Sequence, residues 1–127
     1  MQLSLKYNLP FVTIAIVYKG VTLDVPDVLI DTGSGSTILS ADAVASVQII
    51  PSPEDTLCTI RGVGGSEVVF TRKVDCLKIG EQSIADFEIE VGGMDYGFEI
   101  NGILGMDFLT RSRAIINLQE MRIKFAS

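Results

Sequence analysis

Histidine is absent from the 127 residues, and so is tryptophan. Without an imidazole there is no Ser-His or Cys-His nucleophile pair, and the commonest zinc ligand is missing. Two cysteines are too few for a four-thiolate metal centre or for a disulfide scaffold. Basic residues are in the minority: 10 Lys and Arg stand against 16 Asp and Glu, a net charge of −6. A surface of that sign repels nucleic acid, which is bound by clustered Lys and Arg. No apolar run approaches the length of a bilayer span; the longest, Phe11 to Tyr18, is interrupted by Thr13. The opening Met1-Gln2-Leu3-Ser4-Leu5-Lys6 lacks the basic start and apolar stretch of a signal peptide. The expectation is a cytoplasmic location with reduced thiols and no membrane segment, and a soluble domain cut from a longer chain reads the same way.

What is present is enough for a core. Hydrophobic residues make up 47% and charged residues 20%, which suits one globular domain over residues 1–127. No tandem repeat, linker or low-complexity segment interrupts it.

The pattern is one of short strands separated by turns. Leu3, Leu5 and Tyr7 alternate. Residues 11–18 and 21–25, rich in Val, Ile and Thr, suit a hairpin about Lys19-Gly20. Val28-Leu29-Ile30 runs directly into Asp31-Thr32-Gly33-Ser34-Gly35. Residues 41–47 read as a short helix with Ser40 as N-cap. Residues 56–60 and 67–71 pair as a long hairpin with the tip Arg61-Gly62-Val63-Gly64-Gly65-Ser66. Residues 74–79 and 82–91 form a second pair about Gly80-Glu81. Segment 81–99 carries six acidic residues and no basic one, which reads as a solvated outer strand face. Ile103-Leu104-Gly105 is a further short strand, 107–112 a helical turn or two, and 114–118 with 121–125 a closing hairpin. The fold class is all-β with short connections and one or two short helices.

Asp31-Thr32-Gly33-Ser34 is the first place where chemistry could reside. An apolar strand there delivers a carboxylate into a tight turn, and a carboxylate so held can act as a general base on water. Taken alone the motif is equally an ordinary turn in which Asp bonds its own backbone. Two other features bear on the choice. The Gly-rich tip follows about thirty residues later, and Ile103-Leu104-Gly105 about forty residues after that.

In that order and spacing the three motifs resemble the retropepsin-like aspartic proteases, across most of the chain. The resemblance implies a closed β-barrel with a flap hairpin, and an aspartic endopeptidase that needs no cofactor and no metal. Asp31 matches the catalytic Asp. With one Asp-Thr-Gly per chain, activity implies a symmetric homodimer in which two Asp31 carboxylates share a proton and activate a water. Thr32 matches the residue that braces the two turns across the dimer axis. Gly33 allows close backbone approach. Ser34 stands where retroviral enzymes usually have Ala; its hydroxyl, donated to Asp31, would favour the charged form and a working range of about pH 4 to 6. Gly62, Val63, Gly64 and Gly65 match the flap tip that closes on an extended peptide substrate. Ile103 and Leu104 serve either as pocket walls or as core, with Gly105 behind the active-site turn.

The pattern also departs from the retroviral one. The Asp that follows the retroviral triplet and the Arg that follows apolar-apolar-Gly are replaced by Gly35 and Met106, so that ion pair is absent. The closing hairpin is longer, which implies a differently built terminal sheet. The chain is closer to cellular and prokaryotic single-domain members. Cys58 falls opposite about residue 70 of its hairpin, so a disulfide with Cys76 is not expected. Met94, Tyr96 and Phe98 read as core or interface residues. The competing function is a catalytically silent dimerisation or peptide-binding module of the same fold.

Overall fold

The computed structural model describes all residues except 56, 63–64 and 95–98, and describes 58–62 and 65–68 by backbone only. Among the described residues ten strands and two short helices follow in the order β1 (Ser4–Lys6), β2 (Leu9–Tyr18), β3 (Val21–Ile30), β4 (Ile38–Ser40), α1 (Ala41–Val44), β5 (Leu57–Gly62), β6 (Gly65–Ile79), β7 (Gln82–Gly92), β8 (Gly102–Leu104), α2 (Met106–Arg111), β9 (Ala114–Asn117) and β10 (Arg122–Phe125). A 3-10 turn, Ala45–Val47, extends α1.

Six of these strands close on themselves. The circuit runs β2–β3–β8–β4–β7–β6 and returns through a β6–β2 pairing. The β3–β8 and β4–β7 contacts are parallel and the rest antiparallel. Closure removes sheet edges. β1 and β5 lie outside the circuit, on β2 and β6 respectively.

Turn chemistry sets the registers. Lys19 and Gly20 both have positive φ, 50° and 81°, between the paired Tyr18 and Val21. That is the geometry of the primed two-residue turns, whose twist matches the strands they join. Two strands run longer than the sequence pattern suggests. β6 is continuous through 65–79, and β3 continues through Pro26-Asp27. β3 tolerates that pair as a bulge: Val12 faces Val28 while Ile14 faces Val25, and Asp27 has φ 56°. Asn101 caps the bulge, donating its N–H to Asp27 O (2.9 Å) and its Nδ2 to Pro26 O (2.8 Å). Lys6 Nζ pairs with the Asp27 carboxylate.

Strand alternation sorts side chains onto two faces. One face fills the barrel with Val12, Ile14, Ile16, Val25, Val28, Ile30, Leu39, Val74, Phe87, Ile89, Val91 and Leu104. Phe108 of α2 plugs this core and meets Phe87 edge-on, ring centroids 5.8 Å apart. The other face gathers a smaller cluster of Phe11, Ile38, Val69, Ile100 and Ile103, bordered by Leu9, Leu29 and Met94.

The expected helix over 41–47 is present, with Ser40 at the N-cap position, but the Ser40 side chain makes no capping hydrogen bond. Cys58 pairs with Val69 across the hairpin, and Cys76 is a free, half-buried thiol. Residues 1–3 add to β10 within the same chain: Leu3 N–H bonds Met121 O (2.8 Å) and Ile123 N–H bonds Met1 O (3.0 Å). Among the described residues no helix is long and apolar enough to cross a membrane.

Candidate active site

β3 ends in the core with Val28 and Ile30, and this fixes the next residue. The Asp31 N–H bonds Leu104 O at 3.0 Å, extending the parallel ladder with β8 by one step. The chain then turns: Ser34 N–H bonds Asp31 O (3.2 Å), and Gly33 N–H donates to Asp31 Oδ1 (2.8 Å). Asp31 as a residue is half-buried and its carboxylate is aimed by a backbone donor in an exposed hydrogen bond, while Thr32 and Gly33 are exposed. A hydrogen bond of this kind to an ionised acceptor is stronger than a neutral one.

The turn is held from behind by the segment that follows β8. Met106 N–H donates to Ser34 O at 2.7 Å. Gly105 N–H donates to Thr37 Oγ1 at 3.1 Å, and Thr37, wholly buried, passes its hydroxyl proton to Asp107 Oδ1 at 2.8 Å. Asp107 also accepts the N–H of Thr37 (3.1 Å) and of Phe108 (2.8 Å). Gly105 is required by this packing, since a Cβ there would lie 2.2 Å from Ser36 O and 2.9 Å from Ser34 O. The Thr37–Asp107 network ties the two segments together. Neither residue was singled out in the sequence; a contact across 70 residues leaves no local signal.

One expectation is corrected here. The Ser34 hydroxyl does not serve the Asp31 carboxylate; it donates to Ser36 O at 2.7 Å. A hydroxyl has one proton to give, and the backbone carbonyl takes it. The acid shift attributed to Ser34 loses its basis.

The remaining expected site residues fall in two places. Leu104 is fully buried in the barrel core, and Ile103 lies at 9% exposure in the smaller cluster. Gly62 and Gly65 pair at the far end of the β5–β6 hairpin. Val63 and Gly64, which complete the expected tip, lie outside the described residues, as do Tyr96, Phe98 and the Arg61 side chain.

The base of that hairpin carries a clamp invisible in the sequence. Arg72 of β6 grips Asp55, just before β5, through Nε to Oδ1 (3.2 Å) and a terminal nitrogen to both oxygens (2.9 and 2.8 Å). Its other terminal nitrogen reaches Tyr18 Oη (3.0 Å), and the nitrogen that grips Asp55 also donates to Ile50 O (2.9 Å). The Arg72 and Asp55 side chains are only 17% and 8% exposed. Burial alone would lower the Arg72 pKa, but the hydrogen bonds to Asp55 and Tyr18 outweigh it and hold the guanidinium above its ordinary value.

Glu90 of β7 departs from the expected solvated strand face. Glu88 is exposed, but Glu90 is partly buried, and its Oε2 is sealed from solvent without a hydrogen-bond partner.

A closed six-stranded barrel, an Asp-Thr-Gly-Ser turn at the end of one strand and an apolar-apolar-Gly strand packed behind it define the retropepsin-like class of fold. The family model of the aspartyl proteases matches residues 14–108, from the middle of β2 through the start of α2, and the chain belongs to that family. No curated protein matches the chain.

Proposed function

We propose that the protein is an aspartic endopeptidase, active as a symmetric homodimer on extended peptides. One observation carries this reading. The carboxylate of Asp31, a half-buried residue, is fixed by the Gly33 N–H in a turn whose outer residues, Thr32 and Gly33, are exposed.

In the dimer, Asp31 of each subunit meets at the two-fold axis. Two carboxylates that close share one proton and titrate as a pair. The ionised one takes a proton from a water held between them. The resulting hydroxide adds to the scissile carbonyl carbon, and the protonated one supplies its proton to the developing oxyanion. The tetrahedral adduct then collapses: the carboxyl that took the water proton gives it to the leaving nitrogen, the other takes back a hydroxyl proton, and the C–N bond breaks to give an acid and an amine with no covalent intermediate. Thr32 braces the paired turns, and the residue 62–65 tip closes on the peptide by strand addition. With Ser34 engaged elsewhere, an acidic working range rests on the shared proton alone, and the narrower range tied to Ser34 falls away.

The test is cleavage of a diverse peptide mixture from about pH 3 to 7, at high protein concentration, beside Asp31→Asn. Acid cleavage that vanishes in the variant supports the reading. A folded dimer that cleaves nothing reassigns the chain to a silent peptide-binding or dimerisation module.

A further inference from the structure

Glu90 is the one described side chain with a buried polar atom left unpartnered. Such an atom forfeits its water without compensation, and in native structures it calls for an explanation. The two ion pairs among the described residues, Lys6–Asp27 and Arg72–Asp55, both lie elsewhere.

Strand register shows what Glu90 faces. Directly paired residues point to the same side of a sheet. Phe11 pairs with Leu29, Leu29 with Ile103, Ile103 with Ile38, and Ile38 with Glu90. The first four are the smaller apolar cluster or its border, and Glu90 is the acidic end of the row. Asp31 lies two residues beyond Leu29, with the ladder to β8 unbroken, so it rises from this same face. The hairpin strand β6 adds Val69 to the cluster and Thr71 opposite Glu90.

We propose that Glu90 is a specificity residue that takes a cationic side chain, lysine or arginine, of an extended peptide lying along this face. The proposal rests on the endopeptidase reading for the direction of the peptide, not for the site. Leu29 and Glu90 are three strand spacings apart, at most about 14 Å, and an extended peptide advances about 3.3 Å per residue. A peptide therefore spans from Leu29 to Glu90 in about four residues, with Asp31 two residues beyond Leu29 on β3. Glu90 as a whole is half-buried while its Oε2 is sealed, so a cation reaches that oxygen only as the side chain turns outward. An ammonium or guanidinium would supply the partner that Oε2 lacks among the described residues, and the apolar row beside it would pack the intervening side chains. In the free protein the arrangement is a stability defect, as binding residues commonly are.

The probe is a set of fluorescein-labelled extended peptides in which one position at a time is Lys, norleucine or Glu. Binding is measured on Asp31→Asn, which cannot cleave, with and without Glu90→Gln; cleavage is measured on the otherwise unaltered protein and on Glu90→Gln. The expected result is a preference for Lys over norleucine at one position, of about tenfold or more, that Glu90→Gln abolishes while norleucine peptides bind as before. Glu90→Gln should melt no lower than its parent, which separates recognition from a folding defect. Equal binding of Lys and norleucine peptides at every position, or a Lys preference that survives Glu90→Gln, overturns the proposal. A Glu90-dependent preference without any cleavage would uphold it while sinking the endopeptidase reading.

Discussion

Thr37 and Asp107 stand 70 residues apart and bond twice, through the N–H and the hydroxyl of Thr37. The same hydroxyl receives the Gly105 N–H, so one wholly buried side chain links the Asp31 turn, the end of β8 and the start of α2. Thr37→Val keeps the shape and removes the hydroxyl. It leaves the Gly105 N–H and one Asp107 lone pair without partners, each a buried desolvation cost. The expected loss is about 2–3 kcal/mol by urea denaturation. Thr37→Ser, which restores the oxygen, should recover more than half of it.

Gly105→Ala adds one methyl group where no space exists. The atoms it meets are backbone, not the flexible end of a side chain. The turn or α2 must move, and a destabilisation of about 2–3 kcal/mol follows. Cleavage should fall more steeply than stability, because the displaced atoms include Ser34 O, which anchors the Asp31 turn. A folded Gly105→Ala protein with unchanged cleavage would contradict the role given to this contact.

Breaking the Arg72–Asp55 clamp from one side leaves a buried charge alone. Arg72→Ala or Asp55→Ala is expected to cost about 3 kcal/mol. The double variant should cost clearly less than the two singles together, with a coupling of about 1–3 kcal/mol. A guanidinium held above its ordinary value stays charged through the neutral and mildly alkaline range and, with Asp55 ionised there, loses its contribution only in strong alkali. The cost of Arg72→Ala should therefore stay flat from about pH 7 to 9. Because the clamp sits at the root of the β5–β6 hairpin, the surviving activity should show a raised KM with kcat less affected.

Ser34→Ala is expected to leave the pH profile of cleavage unmoved, both limbs within about 0.3 pH unit. The hydroxyl is committed to Ser36 O and not to the carboxylate. A shifted acid limb would mean that the hydroxyl turns to Asp31 when the dimer or substrate is in place.

Much of this was legible in the chain itself. Val28-Leu29-Ile30 followed by Asp-Thr-Gly announces a strand that ends in a carboxylate turn. Ile103-Leu104-Gly105 announces its backing strand, and Lys19-Gly20 a tight hairpin. All are local signals. The Thr37–Asp107 network, the Arg72 clamp and the orphaned Glu90 oxygen arise only when distant strands align, and no periodicity encodes them. The Ser34 assignment failed for a related reason. A serine hydroxyl in a turn has several acceptors within reach, and only the folded path of residues 34–36 decides among them.

The Pro26-Asp27 bulge acts as a phase shifter for everything downstream in β3. Val25 and Val28 both enter the barrel although they are three apart, and from there the even positions, Val28 and Ile30, point inward. Excising a single residue at the bulge would reset that count. Ile30 would swing to the open face and Asp31 would be turned toward the hydrocarbon interior, with the Asp-Thr-Gly-Ser letters intact and the carboxylate facing the wrong way.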